Sequence, residues 1–226
     1  MDDRSLSVGL MVPANNTTME HELLAWLPEG SSCRRIGIPR GQGMLTPATL
    51  PEYLGQATAL AKQLADDEID LVVYGCTAAG FMAGPERDAA VAAELAAVTG
   101  KRVVTTASSM GAVLRDIGAR RIALITPYQD AVNQRLKTFL EPAGIVIETL
   151  SSFSAETVDE LAAITPEQIA ARARAVMTPG LDAMFIACSQ LPTRAIIPGL
   201  ERELGIPVWS SIRATAWQAT RAAELV

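Results

Sequence analysis

Short β-branched runs alternate with longer alanine-rich segments of helical periodicity along the whole chain, and this alternation limits the fold more than any other feature. The runs SVGLMV (7–12), CRRIGI (33–38), DLVVYG (70–75), RVVTT (102–106), RIALIT (121–126), IVIETL (145–150), DAMFIA (182–187) and PVWSS (207–211) read as strands. Helical patterns fall near 17–26, 51–67, 86–99, 107–117, 129–142, 166–177, 193–204 and 213–225. Two of these open on clear start signals: Thr49 ahead of Pro51 and Glu52, and Thr165 ahead of Pro166 and Glu167. The strand runs are apolar almost throughout, as strands covered on both faces are. The expectation is an α/β protein built on parallel sheet.

The chain also repeats itself. VGLMVP (8–13) resembles IALITP (122–127), LVVYGCTAAG (71–80) resembles AMFIACSQLP (183–192), and GKRVVTTASSMGAVLRD (100–116) resembles GIPVWSSIRATAWQATR (205–221). Three matches in one order, with drifting offsets, describe two copies that differ in loop length. The expected architecture is two pseudosymmetric Rossmann-like halves facing each other across a cleft. The N-terminal half is expected to span 1–98 plus 208–226, and the C-terminal half 99–207.

Ligands of open parallel sheets sit beyond the carboxyl ends of the strands. Cys76 and Cys188 both follow such ends, one in each half, as do Pro13-Ala-Asn-Asn16 and Pro127-Tyr128. Four loops therefore converge on one place.

Composition removes several classes of function. A net charge of −6 without a Lys/Arg cluster argues against a nucleic-acid or anionic-membrane surface. The acidic start MDDRSLSVGL lacks an apolar signal core, and no stretch reaches the roughly 20 apolar residues that span a bilayer. A cytoplasmic location is expected, where Cys33, Cys76 and Cys188 stay reduced. One histidine, His21, and no Cys/His ligand spacing leave no zinc site to expect. No dinucleotide or nucleoside-triphosphate fingerprint is present, and Gly41-Gln-Gly43 reads as a turn. Neither a metal nor an organic cofactor is expected.

What remains is thiol chemistry. Cys76 precedes Thr77-Ala-Ala-Gly80 and Cys188 precedes Ser189-Gln190, so both should feel unpaired backbone amides, which lower a thiol pKa and cradle an anion. Two opposed thiols can move a proton from one face of a carbon to the other. Alternatively, one thiolate adds to an activated double bond, a single bond rotates, and elimination gives the other geometric isomer. The bland readings stand beside these: buried thiols packing the core, Asn15 or Asn16 capping the next helix, Ser108-Ser109 and Ser210-Ser211 capping theirs. Cys33 is assigned to packing.

VPANNTTMEHELLAWLP (12–28), VYGCTAAGFMAG (73–84), ITPYQDAVNQRLKTFLEPAGI (125–145) and FIACSQLPT (185–193) resemble the maleate cis–trans isomerase and arylmalonate decarboxylase family of the aspartate/glutamate racemase superfamily. The resemblance spans nearly the whole chain. It implies Cys76 as the nucleophile, Cys188 in proton or anion management, Asn16 and Tyr128 on substrate carboxylate, and Thr77 and Ser189 in an anion hole. Pro13 belongs to the same N-terminal motif. Two departures stand out. Val158, with Leu161 nearby, takes the place of an isomerase asparagine, and Met44 and Leu45 add to an apolar wall like that of the decarboxylases.

The expected function is a cofactor-independent isomerase or racemase of a small carboxylic acid, with maleate to fumarate the first reaction to try. The alternatives are an arylmalonate-type decarboxylase using Cys188 as proton donor, and a non-catalytic small-acid binding protein. The expected partner is a small carboxylate, with neither nucleic acid nor membrane; homo-oligomerisation is left open.

Overall fold

A computed structural model describes residues 4–40 and 43–224. Gly41 and Gln42 of the expected turn, and the last residue of the expected C-terminal helix, lie outside the described residues.

The chain folds as two four-stranded parallel sheets flanked by helices, as the strand–helix alternation predicts. The first sheet holds β1 (Ser7–Pro13), β2 (Ser32–Ile38), β3 (Leu71–Tyr74) and β4 (Arg102–Thr105) in the order β2-β1-β3-β4. The second holds β5 (Arg121–Thr126), β6 (Val146–Ser152), β7 (Ala183–Ile186) and β8 (Val208–Ser210) in the order β6-β5-β7-β8. The orders are equivalent, so the repeat seen in the sequence is a repeat of topology. The helices are α1 (Met19–Trp26), α2 (Leu50–Ala61), α3 (Thr77–Ala83), α4 (Pro85–Thr99), α5 (Thr106–Asp116), α6 (Asp130–Leu140), α7 (Val158–Ala162), α8 (Pro166–Ala175), α9 (Ile197–Leu204) and α10 (Ser211–Ala223).

Sheet membership departs from the expected partition at two strands. β4, placed by sequence with 99–207, pairs with β3 in the first sheet; β8, placed with 208–226, pairs with β7 in the second. The reason is the repeat itself, in which β4 and β8 are the matching fourth strands. The final helix crosses over: α10 packs on α5, α1 and the first sheet.

Strand pleating assigns the core. Val8, Leu10 and Val12 of β1, with Leu71 and Val73 of β3, face one layer closed by α1 and by Ile212, Ala216 and Ala219 of α10. Met11, Val72 and Tyr74 point the other way, into a core continuous with Ile122, Leu124 and Phe185 of the second half. Each of these aliphatic side chains contributes about 1.5–3 kcal/mol when fully buried. One shared core explains why the halves meet as a single body.

The local signals are mixed. Thr165 closes a reciprocal capping box with Gln168, as its sequence promised. Thr49 stands at the start of α2, but its hydroxyl turns back to the Thr46 amide instead of capping. Ser210 caps α10 through the Arg213 amide, whereas α5 is capped by Thr105, not by Ser108 or Ser109. The short helices α3 and α7 have no counterpart among the expected elements, because one or two turns cannot display helical periodicity. No helix among the described residues is long and apolar enough to cross a membrane.

Candidate active site

In the first sheet β1 and β3 are neighbours, yet the chain leaves them in opposite directions, to β2 on one side and β4 on the other. That divergence opens a crevice at their carboxyl ends. β1 delivers Pro13 and Asn16 to it, and β3 delivers Cys76. The second sheet repeats the arrangement: Tyr128 follows β5 and Cys188 follows β7. The two crevices form one cavity of about 650 Å³, counting its mouth, and all nine candidates line it: Pro13, Asn16, Cys76, Thr77, Tyr128, Val158, Leu161, Cys188 and Ser189.

The cysteine loops are laced together across the cleft. The Ser189 amide donates to Thr77 Oγ1 (3.1 Å), and the Ser189 hydroxyl donates to the Gly75 carbonyl (2.8 Å). Asn16 Nδ2 donates to the Ser189 carbonyl (3.2 Å), while Asn16 Oδ1 accepts the Thr18 and Met19 amides (3.0 and 2.9 Å) at the entrance to α1. The capping reading of Asn16 therefore holds, at the same time as the residue borders the cavity. Gln190 exchanges hydrogen bonds with Thr17, and the buried Glu22 carboxylate accepts the Thr193 and Arg194 amides (2.7 and 2.9 Å). Apart from the Asn16 cap on α1, each of these bonds joins the N-terminal half to the second cysteine loop.

Cys76 stands at the N-terminus of α3 in extended conformation. α3 can lie tightly on α5 only because residue 80 is glycine: a Cβ there would sit 2.4 Å from the Ala107 Cβ. Both cysteines are almost fully buried, at 3% and 6% exposure. Burial pushes both thiols up, which outweighs the amide effect expected from sequence. The opposing influences differ between the two. For Cys76 they are the Arg40 guanidinium, the Ala79 and Ala78 amides and the Tyr53 hydroxyl. For Cys188 they are the Gln190 amide, which donates to Sγ at 3.4 Å, and the Tyr128 hydroxyl, with a weaker pull from Arg40. Charge on Cys76 raises Cys188 further, so the pair favours one thiolate and one thiol.

The Tyr128 and Tyr53 hydroxyls are buried without a nitrogen or oxygen partner, and each lies beside a thiol. Tyr128 is fixed edge-on against Phe81, with ring centroids 5.3 Å apart.

The opposite wall is apolar. Met44 and Leu45 come from the loop after β2, and Ala155, Val158 and Leu161 from the equivalent loop after β6 and from α7. Val158 begins α7 behind Thr157, whose hydroxyl accepts the Glu160 amide. A single antiparallel bridge between Gly43 and Thr157 joins the two loops over the site.

Sequence reading missed Arg40 and Tyr53 as neighbours of the thiols, whereas the Gln190 amide beside Cys188 was among those it named. Arg40 had a usable signal, as the first charge beyond the carboxyl end of β2 in IGIPR; Tyr53, on the inner face of α2, had none. Cys33 lies apart from the cavity on β2, half-buried, its thiol pushed up to about 12 by burial and by Glu20. His21 is exposed. Among the described residues no cluster of three or more His, Cys, Asp or Glu side chains could hold a metal ion.

Fold and site together define a two-lobed parallel α/β protein with one buried thiol from each lobe facing a shared cleft. The chain belongs to the arylmalonate decarboxylase family, whose model matches residues 8–226. It is 31% identical to the maleate isomerase of Nocardia farcinica over 96% of this chain and 90% of that one. It is also 31% identical to the arylmalonate decarboxylase of Bordetella bronchiseptica, over 81% and 77% respectively. Among solved structures it superposes with a TM-score of 0.89 on a cysteine-to-serine variant of the Nocardia farcinica maleate cis-trans isomerase with a covalently bound succinylcysteine intermediate, at 26% identity over 98% of this chain and 94% of that one.

Proposed function

We propose that this protein is a cofactor-independent cis–trans isomerase of a small unsaturated dicarboxylic acid, with maleate to fumarate as its reaction. The observation that carries the reading is the pair of thiols from equivalent strand ends, lining one cavity, each beside its own amide and tyrosine donors. Cys76 has the larger set of anion-stabilising neighbours, so it supplies the thiolate, and Cys188 stays protonated.

The chemistry then follows. The Cys76 thiolate forms a C–S bond to one alkene carbon as the π bond breaks, and the electron pair moves onto the adjacent carbon and its carboxylate. The Cys188 thiol protonates that carbon. The former double bond, now single, rotates; the Cys188 thiolate takes a proton back, the C–S bond breaks, and the trans isomer leaves. Neither step calls for a metal or organic cofactor. Pro13, Asn16, Thr77, Tyr128 and Ser189 border the carboxylate positions. Thr77 accepts from Ser189 and keeps its own hydroxyl hydrogen for the substrate. The succinylcysteine reported for the Nocardia farcinica enzyme is the intermediate that such a route passes through. Reduced thiols of this kind fit a cytoplasmic enzyme.

Incubation of the Cys188→Ala variant with maleate should leave a succinyl adduct on Cys76, read by peptide mass spectrometry: solvent slowly supplies the proton that Cys188 would give, and no thiolate remains to take it back. Full wild-type turnover in a Cys76→Ala variant would remove the addition mechanism.

One observation favours a second reading. The apolar wall of Met44, Leu45, Val158 and Leu161 suits a substrate with an aryl or alkyl substituent, and a geminal diacid held there would lose carbon dioxide and be protonated by Cys188. Release of carbon dioxide separates this reaction from isomerisation, which conserves the formula.

A further inference from the structure

Arg40 is the only cation among the described residues that line the cavity. It follows Ile38 and Pro39 at the end of β2 and is half-buried. Its Nε is shielded from solvent without a hydrogen-bond partner, and among the described residues it makes no ion pair. The contrast with Arg35, inside β2, is direct: Arg35 donates to the Ala14 and Asn16 carbonyls and pairs with Glu20. A shielded guanidinium donor without a partner is costly to a folded protein unless something arrives to meet it. Arg40 faces both cysteines and the hydroxyls of Tyr53 and Tyr128; behind it, the surface groove it shares with Tyr53 carries Glu52, whose carboxylate already accepts from Gln56.

We propose that Arg40 binds the second carboxylate of the substrate, and so selects dicarboxylates over monocarboxylates in a cleft whose opposite wall is apolar. The inference rests on the isomerase reading for the identity of the substrate, but on Arg40's own surroundings for the site. A guanidinium matches a carboxylate with two parallel donors, and the low-dielectric setting strengthens the pair. The same charge lies where the Cys76 thiolate forms, so a bound dicarboxylate and the thiolate share one counter-charge. No side chain of the apolar wall could take this part, since Met44, Leu45, Val158 and Leu161 carry no donor.

The test uses unreactive acids, so that it is independent of turnover. Succinate and butyrate are titrated as protectants of Cys76 and Cys188 against iodoacetamide, each thiol being followed by peptide mass spectrometry. Succinate should protect the wild type at concentrations roughly tenfold or more below butyrate, the worth of one charge-assisted pair. In Arg40→Met, succinate should fall to the level of butyrate while butyrate stays close to its wild-type value; Arg40→Lys should keep part of the preference. Without ligand, alkylation of Cys76 in Arg40→Met should need a higher pH than in the wild type. A preference for succinate that survives in Arg40→Met, an equal weakening of both acids, or no preference in the wild type would each overturn the assignment. Should Arg40→Met fold poorly, Arg40→Gln gives the same comparison. Failure of the isomerase reading would show separately, as wild-type protein that binds succinate and never converts maleate.

Discussion

The Ser189 amide donates to the Thr77 hydroxyl at 3.1 Å across the cleft, joining the residues that directly follow the two cysteines and lie 112 positions apart. This bond sets the spacing of the sulfur-bearing loops. Thr77→Val keeps the shape but removes the acceptor, leaving a buried amide unsatisfied at a cost of about 1–3 kcal/mol. Thermal or urea denaturation should show that loss. Turnover should fall more than stability does, because the loops carry the reacting groups, whereas Thr77→Ser should retain most of both.

Burial raises both thiols, so kcat/KM should climb with pH through the thiol range instead of being flat near neutrality. Stability should run the opposite way. An acid whose folded pKa exceeds its unfolded value contributes fully below the unfolded thiol pKa of about 8.5 and loses that contribution as pH rises through the folded value. Cys76→Ala should therefore flatten the alkaline decline in stability. A pH–rate profile and denaturation at several pH values check the two trends.

Asp88 on α4 is a buried carboxyl that accepts the Thr105 hydroxyl at 2.6 Å, and burial raises it to about 6. Neutral Asp88 suits the fold, so its contribution is complete below the ordinary value of 3.8 and fades as pH rises through about 6. The shift corresponds to about 3 kcal/mol. Asp88→Asn should be more stable than wild type at pH 7 and lose that advantage near pH 4. Equal stability curves for the two proteins would contradict the assignment.

Glu22 on α1 receives the Thr193 amide, the Thr193 hydroxyl (3.0 Å) and the Arg194 amide from the other half. Glu22→Ala strands these donors and should cost about 3 kcal/mol or more, seen as a lowered Tm. It should also speed alkylation of Cys188, since the second cysteine loop loses its tether. Glu22→Gln should fall between the two, keeping one acceptor oxygen.

Val158→Asn places an amide on the apolar wall. Without ligand it should destabilise the protein by about 1–3 kcal/mol, the cost of an unpaired buried polar group. With a dicarboxylate in the cleft the amide gains a partner, so kcat/KM for maleate should rise relative to that for an apolar-substituted acid. Competition kinetics between the two substrates give the ratio.

Much of this was legible from local pattern. The strand runs around Leu71–Tyr74 and Ala183–Ile186 carry their burial in consecutive apolar residues, and the cysteines after them mark strand ends without any coordinates. The pairing of β4 and β8 was harder. Each lies after a helix, and nothing in RVVTT or PVWSS names its neighbour; only the match between GKRVVTTASSM and GIPVWSSIRAT pointed to equivalent places. The Thr49 signal misled for a physical reason: Thr46 offered its hydroxyl a nearer partner than the helix did. Ser108 misled because Thr105, three residues earlier, already held the capping position.

By itself the sequence determined the class of fold, its duplication and the two thiol-bearing strand ends, because each of these is written in residues close together along the chain. Tertiary structure alone decided that burial raises both thiols, that Ser189 locks onto Thr77 and Gly75, and that Arg40 enters the cleft unpaired. Those properties depend on dielectric surroundings and on partners more than a hundred residues distant, and neither exists until the two halves close on each other.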